Sequence, residues 1–135
     1  MVTPGKYGRI VGLVLHVLFG GLMFFAGVMK LLGMMPPEAT QKMPAGISDH
    51  LKLIGGGELV TAVLLIVPVT SSLGVLLASG FWGGVICIHM AQGDNFVMPS
   101  VFLLLTWIGA YLRNPDVLYS FTTRPASEAA PVTQV

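Results

Sequence analysis

Long apolar runs, separated by short polar or proline-containing segments, dominate this sequence. Residues 10–29 contain no formally charged side chain, and neither do residues 59–93. The second run is too long for one ordinary span, and the Pro-Val-Thr-Ser-Ser segment at residues 68–72 divides it as a tight turn. Because a helix of about 20 mostly apolar residues crosses a bilayer, the pattern predicts several membrane-spanning helices.

The positions of the polar breaks predict an all-α bundle of four transmembrane helices. The predicted spans are residues 10–32, 51–67, 73–90 and 96–112. The longest connection, residues 33–50, contains three prolines, and Ser48 and Asp49 near its end are predicted N-caps of the second span. We expect one membrane domain, residues 1–121, followed by a mobile tail at residues 122–135.

The composition supports a membrane environment. Hydrophobic residues make up 54% of the chain and charged residues 10%, whereas roughly 25% of residues are charged in a soluble domain. The mean hydropathy is +0.82. The net charge of +1 gives no basic footprint for nucleic acid. The single cysteine, Cys87, excludes an intrachain disulfide and a CxxC motif, and no metal site is predicted.

Three ionisable side chains within the predicted spans fall at a similar depth. With helices that alternate in direction, Lys30 lies near the end of the first span, and Glu58 lies roughly 9 Å into the second from the same side. His89 lies roughly 7–8 Å before the end of the third span, again on that side. Because an ionisable residue in lipid is costly, this shared layer is a candidate site.

His16 belongs to the opposite half of the membrane, roughly 10 Å beyond Arg9 along the first span. It nevertheless shares one face of its helix with Lys30. That face has the three- and four-residue spacing of a helical stripe: His16, Gly20, Met23, Gly27 and Lys30. We expect the stripe to face the interior of the bundle, with Glu58 and Ala62 continuing it on the second helix.

Each of these polar residues also has a purely structural interpretation. Lys30 can extend to the lipid headgroups or form an ion pair with Glu58. His16 can join two helices by a hydrogen bond, and His89 can be a boundary residue at a helix end. Bis-histidine haem ligation by His16 and His89 is a further hypothesis, but their depths near opposite membrane faces argue against it.

Four segments of the sequence, at these spacings and in this order, form a pattern that is specific enough to indicate a protein family. They are HVLFGGLMFFAGVMKLLG, LIGGGELVTAVLLIVPVTSSLGVLL, GGVICIHMAQGD and LLTWIGAYLRNPD. Together they resemble the DoxX-like family of small four-helix integral membrane proteins. The recurring polar positions of that family correspond to Lys30, Glu58 and His89, with His16 at the start of the first segment.

The resemblance implies a multi-pass protein of a bacterial cytoplasmic (inner) membrane. Four spans place both termini on one side, and the basic residues of that side favour the cytoplasm: Lys6, Arg9, Arg113 and Arg124. DoxX-like proteins are associated with membrane subunits of thiosulfate:quinone oxidoreductase and with redox complexes under oxidative stress. The wider group includes a chaperone that assembles nicotinic receptors.

Two functional hypotheses follow, and the sequence leaves open whether the protein is an enzyme. In the first, a quinone-like or other lipidic ligand, not covalently bound, lies between the first three spans. Glu58 would accept or relay a proton, Lys30 would set its charge, and His89 would hydrogen-bond a ligand carbonyl. In the alternative, the protein is a non-catalytic assembly factor or a structural subunit, whose partners are other membrane subunits or further copies of itself.

Overall fold

A computed structural model describes residues 5–115 and residue 117, and every regular element in this part of the chain is a helix. The helices are α1 (Lys6–Leu31), α2 (Pro37–Gln41), α3 (Ala45–Ser48), α4 (Leu51–Ile66), α5 (Ser71–Gln92) and α6 (Val97–Arg113). The predicted all-α class is therefore confirmed. The tail predicted at residues 122–135 lies outside the described residues.

The four long helices pack as an antiparallel ring in the order α1, α4, α5, α6, with α6 returning to α1. The beginning of α1 lies beside the end of α6, where Gly12 faces the backbone of Gly109. The end of α1 lies beside the beginning of α4, where Gly27 faces Gly55. The bundle thus has a His16 end, which holds the α4–α5 turn, and a Lys30 end, which holds α2 and α3.

The middle of the bundle is apolar and tightly packed. Its buried side chains are Phe19, Met23, Ala62, Leu65, Val75, Ala78, Trp82 and Ala110. The ring of Phe102 lies 5.4 Å from that of Phe19 and 5.2 Å from that of Trp82, between ring centroids. The tilted contact with Phe19 and the edge-to-face contact with Trp82 connect α6 to both of its neighbours and favour one arrangement of the core.

The stripe predicted along α1 faces the interior. His16, Gly20, Met23 and Gly27 are all buried, and Glu58 and Ala62 continue the buried surface on α4. The spacing therefore identified the inner face correctly. Glycines along it allow close approach, since an ideal Cβ at Gly27 would lie 2.7 Å from the carbonyl oxygen of Gly55.

The outer surface of the bundle is also apolar. Helices α1 and α5 are long and hydrophobic enough to cross a membrane, with mean hydropathies of 2.2 and 1.7. Only 33% and 22% of these apolar segments are buried, so most of their hydrophobic side chains face outward, as in a lipid environment. Helix α6 is apolar but shorter, and the crossing of the membrane by all four helices stays a prediction.

The connection at residues 33–50 differs from the prediction. It contains α2 and α3, which begin after Pro36 and Pro44, respectively. Ser48 and Asp49 are not the N-caps of α4, because the cap position is occupied by His50. Ser48 instead belongs to α3, and its hydroxyl donates a hydrogen bond to the carbonyl oxygen of Ala45 at 2.9 Å.

Candidate functional site

A buried ion pair joins α1 to α4 at the Lys30 end. The Lys30 Nζ lies 2.7 Å from both carboxylate oxygens of Glu58. The side chain of Glu58 is 0% exposed and that of Lys30 is 12% exposed. One helical turn earlier in each helix, Gly27 and Gly55 bring the two backbones into contact. The ion pair that the sequence allowed is therefore present. Lys30 and Glu58 pair with each other, and a buried charge is tolerated only when it has such a partner.

A cavity of about 490 Å³ borders this ion pair and opens between α4 and α5. Its walls are mainly apolar side chains and glycine: Leu51, Ile54, Gly80, Phe81, Gly84 and Ile88. Near the turn that connects α4 and α5, Gly74 packs directly on the backbone of Leu65, so the two helices are in close contact there. Farther along α5, an ideal Cβ at Gly80 or Gly84 would have no neighbour within 4 Å.

The two short helices cover the cavity. Ala39 of α2, Met43 between the two helices and Ile47 of α3 line it at the Lys30 end of the bundle. The side-chain amide of Gln92, at the end of α5, donates a hydrogen bond of 2.5 Å to the carbonyl oxygen of Lys42. This bond connects the segment that contains α2 and α3, which we call the cover, to the end of α5. Neither α2 nor α3 contains a buried residue.

His89 lines the same cavity as Lys30 and Glu58. The structure thus brings together the three residues that the depth argument grouped. The Nδ1 of His89 lies 3.1 Å from the carbonyl oxygen of Asn95. A carbonyl only accepts hydrogen bonds, so Nδ1 carries the proton, and in the neutral ring Nε2 is an acceptor. Donation from His89 to a ligand carbonyl, as the sequence suggested, would require the doubly protonated ring.

His16 does not line the cavity but forms a second polar cluster at the other end of the bundle. Its ring is 1% exposed. The Nε2 donates to the carbonyl oxygen of Thr106 at 3.1 Å, and the Nδ1 accepts from the Nη1 of Arg113 at 2.6 Å. Both ring nitrogens are therefore engaged between α1 and α6, which is the interhelical role that the sequence allowed for His16.

Arg113 is a second polar residue of this cluster, and in the sequence it is informative only as a basic charge that favours the cytoplasmic side. Its guanidinium donates to the carbonyl oxygens of Leu65 at 2.9 Å and Ile66 at 3.4 Å. These carbonyls end α4, where a cation also complements the helix dipole. The antiparallel order of the predicted spans puts Arg113 and His16 in the same half of the membrane, but depth alone does not show that the first and last helices are adjacent.

Replacing Arg113 by Met is expected to lower the free energy of unfolding by about 1–3 kcal/mol, because it leaves the last carbonyls of α4 and the His16 Nδ1 without their donor. The measurement is reversible unfolding of the purified protein in mixed detergent micelles. Arg9→Met, at an exposed position of the same end, is the matched control and should change little. Equal effects of both substitutions would show that the Arg113 cluster does not stabilise the bundle.

The two histidines proposed as haem ligands belong to separate clusters. His16 is held between Thr106 and Arg113, whereas His89 is bonded to Asn95 beside the cavity. Within residues 5–115 and 117, no three His, Cys, Asp or Glu side chains are grouped closely enough to hold a metal ion. The bis-histidine arrangement therefore has no geometric basis in this structure.

A helical bundle with apolar outward faces and a buried ion pair is typical of a small membrane protein. The model of the DoxX-like family matches residues 14–109, which is more than half of the chain. The chain therefore belongs to the DoxX-like family. The matched range includes His16, Lys30, Glu58 and His89. No curated protein and no solved structure shows significant similarity to the chain.

Proposed function

We propose that this protein is a four-span, redox-associated protein of the bacterial inner membrane that binds a quinone-like or other lipidic ligand. The observation that carries the proposal is the cavity of about 490 Å³, which has apolar walls and is bordered by Lys30, Glu58 and His89. Such a combination of apolar lining and a few convergent polar groups is typical of ligand sites.

The four-span arrangement is supported by the lengths of the shorter helices and by the ring. Helices α4 and α6 contain 16 and 17 residues, which corresponds to about 24–26 Å of helix. This length approaches the hydrocarbon thickness of about 30 Å. Both helices lie alongside α1. Residues 1–121 would form the membrane domain, with Lys6 and Arg9 placing the His16 end in the cytoplasm.

The proposed site has an apolar part for the ring and tail of a ligand and a polar part for its head. The apolar walls of α4 and α5 would contact a ring and its tail, as is usual for a lipidic ligand. Lys30 would contact a polar head, because its side chain is slightly exposed while that of Glu58 is not. In a water-poor cavity these electrostatic interactions are stronger than at a surface. Glu58 would thus hold Lys30 in place, and any proton exchange between Glu58 and a ligand would pass through Lys30, because both Glu58 oxygens are bonded to Lys30.

Filling the cavity tests this proposal. We expect Gly84→Leu to reduce the binding of decylubiquinone, a short-chain quinone, by at least about tenfold, because the added side chain occupies the space beside α5. The measurement is the amount of quinone that the purified protein retains in lipid nanodiscs, determined by mass spectrometry. Gly84 has no neighbour within 4 Å of an ideal Cβ, so the fold should accept the substitution.

Gly21→Leu is the matched control for this experiment. Gly21 lies on an exposed face of α1 and also has open space around an ideal Cβ, but it does not line the cavity. The control should bind quinone like the unmodified protein. If Gly84→Leu and Gly21→Leu retain the same amount of quinone as the unmodified protein, the cavity is not a quinone site.

The alternative function is that of a non-catalytic assembly factor or structural subunit, including association with further copies of the chain. One observation favours it: Lys30 and Glu58 satisfy each other, as expected for a pair that only fixes two helices. Purification in mild detergent separates the two functions. A stoichiometric membrane partner without a retained small molecule would favour the alternative, whereas a retained lipidic compound without a partner would favour ligand binding.

A further inference from the structure

The polar groups that border the cavity differ in how accessible they are to a ligand. Both oxygens of Glu58 are bonded to Lys30, and the carboxylate side chain is 0% exposed. It is therefore closed off by its partner. The two bonds use at most two of the three N–H groups of Lys30. Lys30 consequently keeps one donor for a ligand.

His89 provides the complementary group. Its Nδ1–H is used by the carbonyl oxygen of Asn95, so the nitrogen available to a ligand is Nε2, which accepts in the neutral ring. The cavity thus offers a donor on α1 and an acceptor on α5. A hydroxyl group can accept from the first and donate to the second, whereas a carbonyl or an ether oxygen can only accept.

The formal charges around the cavity balance. Lys30 and Lys42 contribute two positive charges, and Glu58 and Asp94 contribute two negative charges. Lys42 and Asp94 are exposed and remain in contact with water. A charged headgroup would gain little from this arrangement and would lose hydration in the apolar part of the cavity. The charges therefore favour a neutral head.

We propose that the cavity selects a neutral amphiphile with a hydroxyl head, such as the reduced, phenolic form of a quinone, over the corresponding carbonyl or ether. The selecting residue is His89, whose Nε2 accepts a hydrogen bond from the hydroxyl group. This inference rests on the proposed function, since it names the ligand class of the same cavity.

A competition between 4-octylphenol and 4-octylanisole tests the inference, because the two compounds differ only in the hydroxyl group and its methyl ether. The protein in nanodiscs is equilibrated with an equimolar mixture, and both retained compounds are quantified by mass spectrometry. Nanodiscs with Gly84→Leu supply the background from lipid partitioning. One hydrogen bond predicts a preference for the phenol of about three- to tenfold.

His89→Phe should bring the ratio of the two retained compounds close to one. His50→Phe is the matched control, because the His50 Nδ1 is also bonded to a backbone carbonyl, that of Gly46, but His50 does not line the cavity. It should keep the full preference. A preference that persists in His89→Phe would overturn the assignment to His89.

The remaining outcomes separate this inference from the proposed function. Equal retention of phenol and anisole by the unmodified protein, with both lost in Gly84→Leu, would refute hydroxyl selection and leave ligand binding in the cavity intact. Retention of neither compound above the Gly84→Leu background, together with no binding of decylubiquinone, would refute both the selectivity and the proposed function.

Discussion

Replacing Lys30 by Met is expected to lower the free energy of unfolding by about 3–5 kcal/mol, because it leaves the Glu58 carboxylate buried without a partner. The double variant Lys30→Met/Glu58→Gln should recover most of this loss, since no charge then remains at this position between α1 and α4. Reversible unfolding of the single and double variants in mixed detergent micelles gives the coupling between the two residues as a double-mutant cycle.

Lys52→Met is the matched control for this cycle. Lys52 lies at the beginning of α4, is exposed, and forms no ion pair with Glu58. Its replacement should leave the free energy of unfolding nearly unchanged. A coupling between Lys30 and Glu58 below about 0.5 kcal/mol, the level found for independent sites, would mean that the pair does not hold α1 to α4.

The neighbouring glycines Gly55 and Gly56 are expected to respond to alanine with opposite signs. An ideal Cβ at Gly55 would lie 2.8 Å from the carbonyl oxygen of Gly27 and 2.9 Å from the Cβ of Lys30. The backbone oxygen cannot rotate away, so Gly55→Ala should destabilise the bundle by about 1–3 kcal/mol. Gly56 has open space around an ideal Cβ, and Gly56→Ala should stabilise α4 by up to about 1 kcal/mol.

The two substitutions are chemically identical and lie at adjacent positions of α4. The difference between their effects on the free energy of unfolding therefore reports the contact between α1 and α4 and not the helix propensity of alanine. Unfolding in mixed micelles measures both free energies under the same conditions. If Gly55→Ala were as stable as Gly56→Ala, then α1 and α4 would not approach each other at this level. The geometry that holds Lys30 against Glu58 would then be in doubt as well.

Much of the bundle could be predicted from the sequence because its signals are local. The apolar runs predicted four helices whose ends agree with the observed ones to within a few residues. Gly93, with φ of +72°, follows the end of α5 within the break predicted between the third and fourth spans. The stripe from His16 to Lys30 identified the inner face of α1, because small and polar residues at helical spacing are informative in an apolar chain.

The grouping of Lys30, Glu58 and His89 could also be predicted, since depth along antiparallel helices follows from the rise per residue. The cover formed by α2 and α3 could not, because these helices are too short to show a periodic pattern. The Arg113 cluster required knowing which helices are adjacent in the ring, and the His16–Arg113 contact joins residues far apart in sequence. The functional roles of all these residues stay proposals.

The cover of the cavity is a continuous stretch of chain that adds no buried residue to the bundle. Single substitutions at its exposed positions are therefore expected to cost little of the free energy that keeps the four long helices together. If the cavity binds a ligand, as we propose, the segment between Gly33 and His50 is where its size could be changed, since Ala39, Met43 and Ile47 line the cavity from this segment. Variants confined to this segment would therefore test ligand preference with little expected change in the stability of the four long helices.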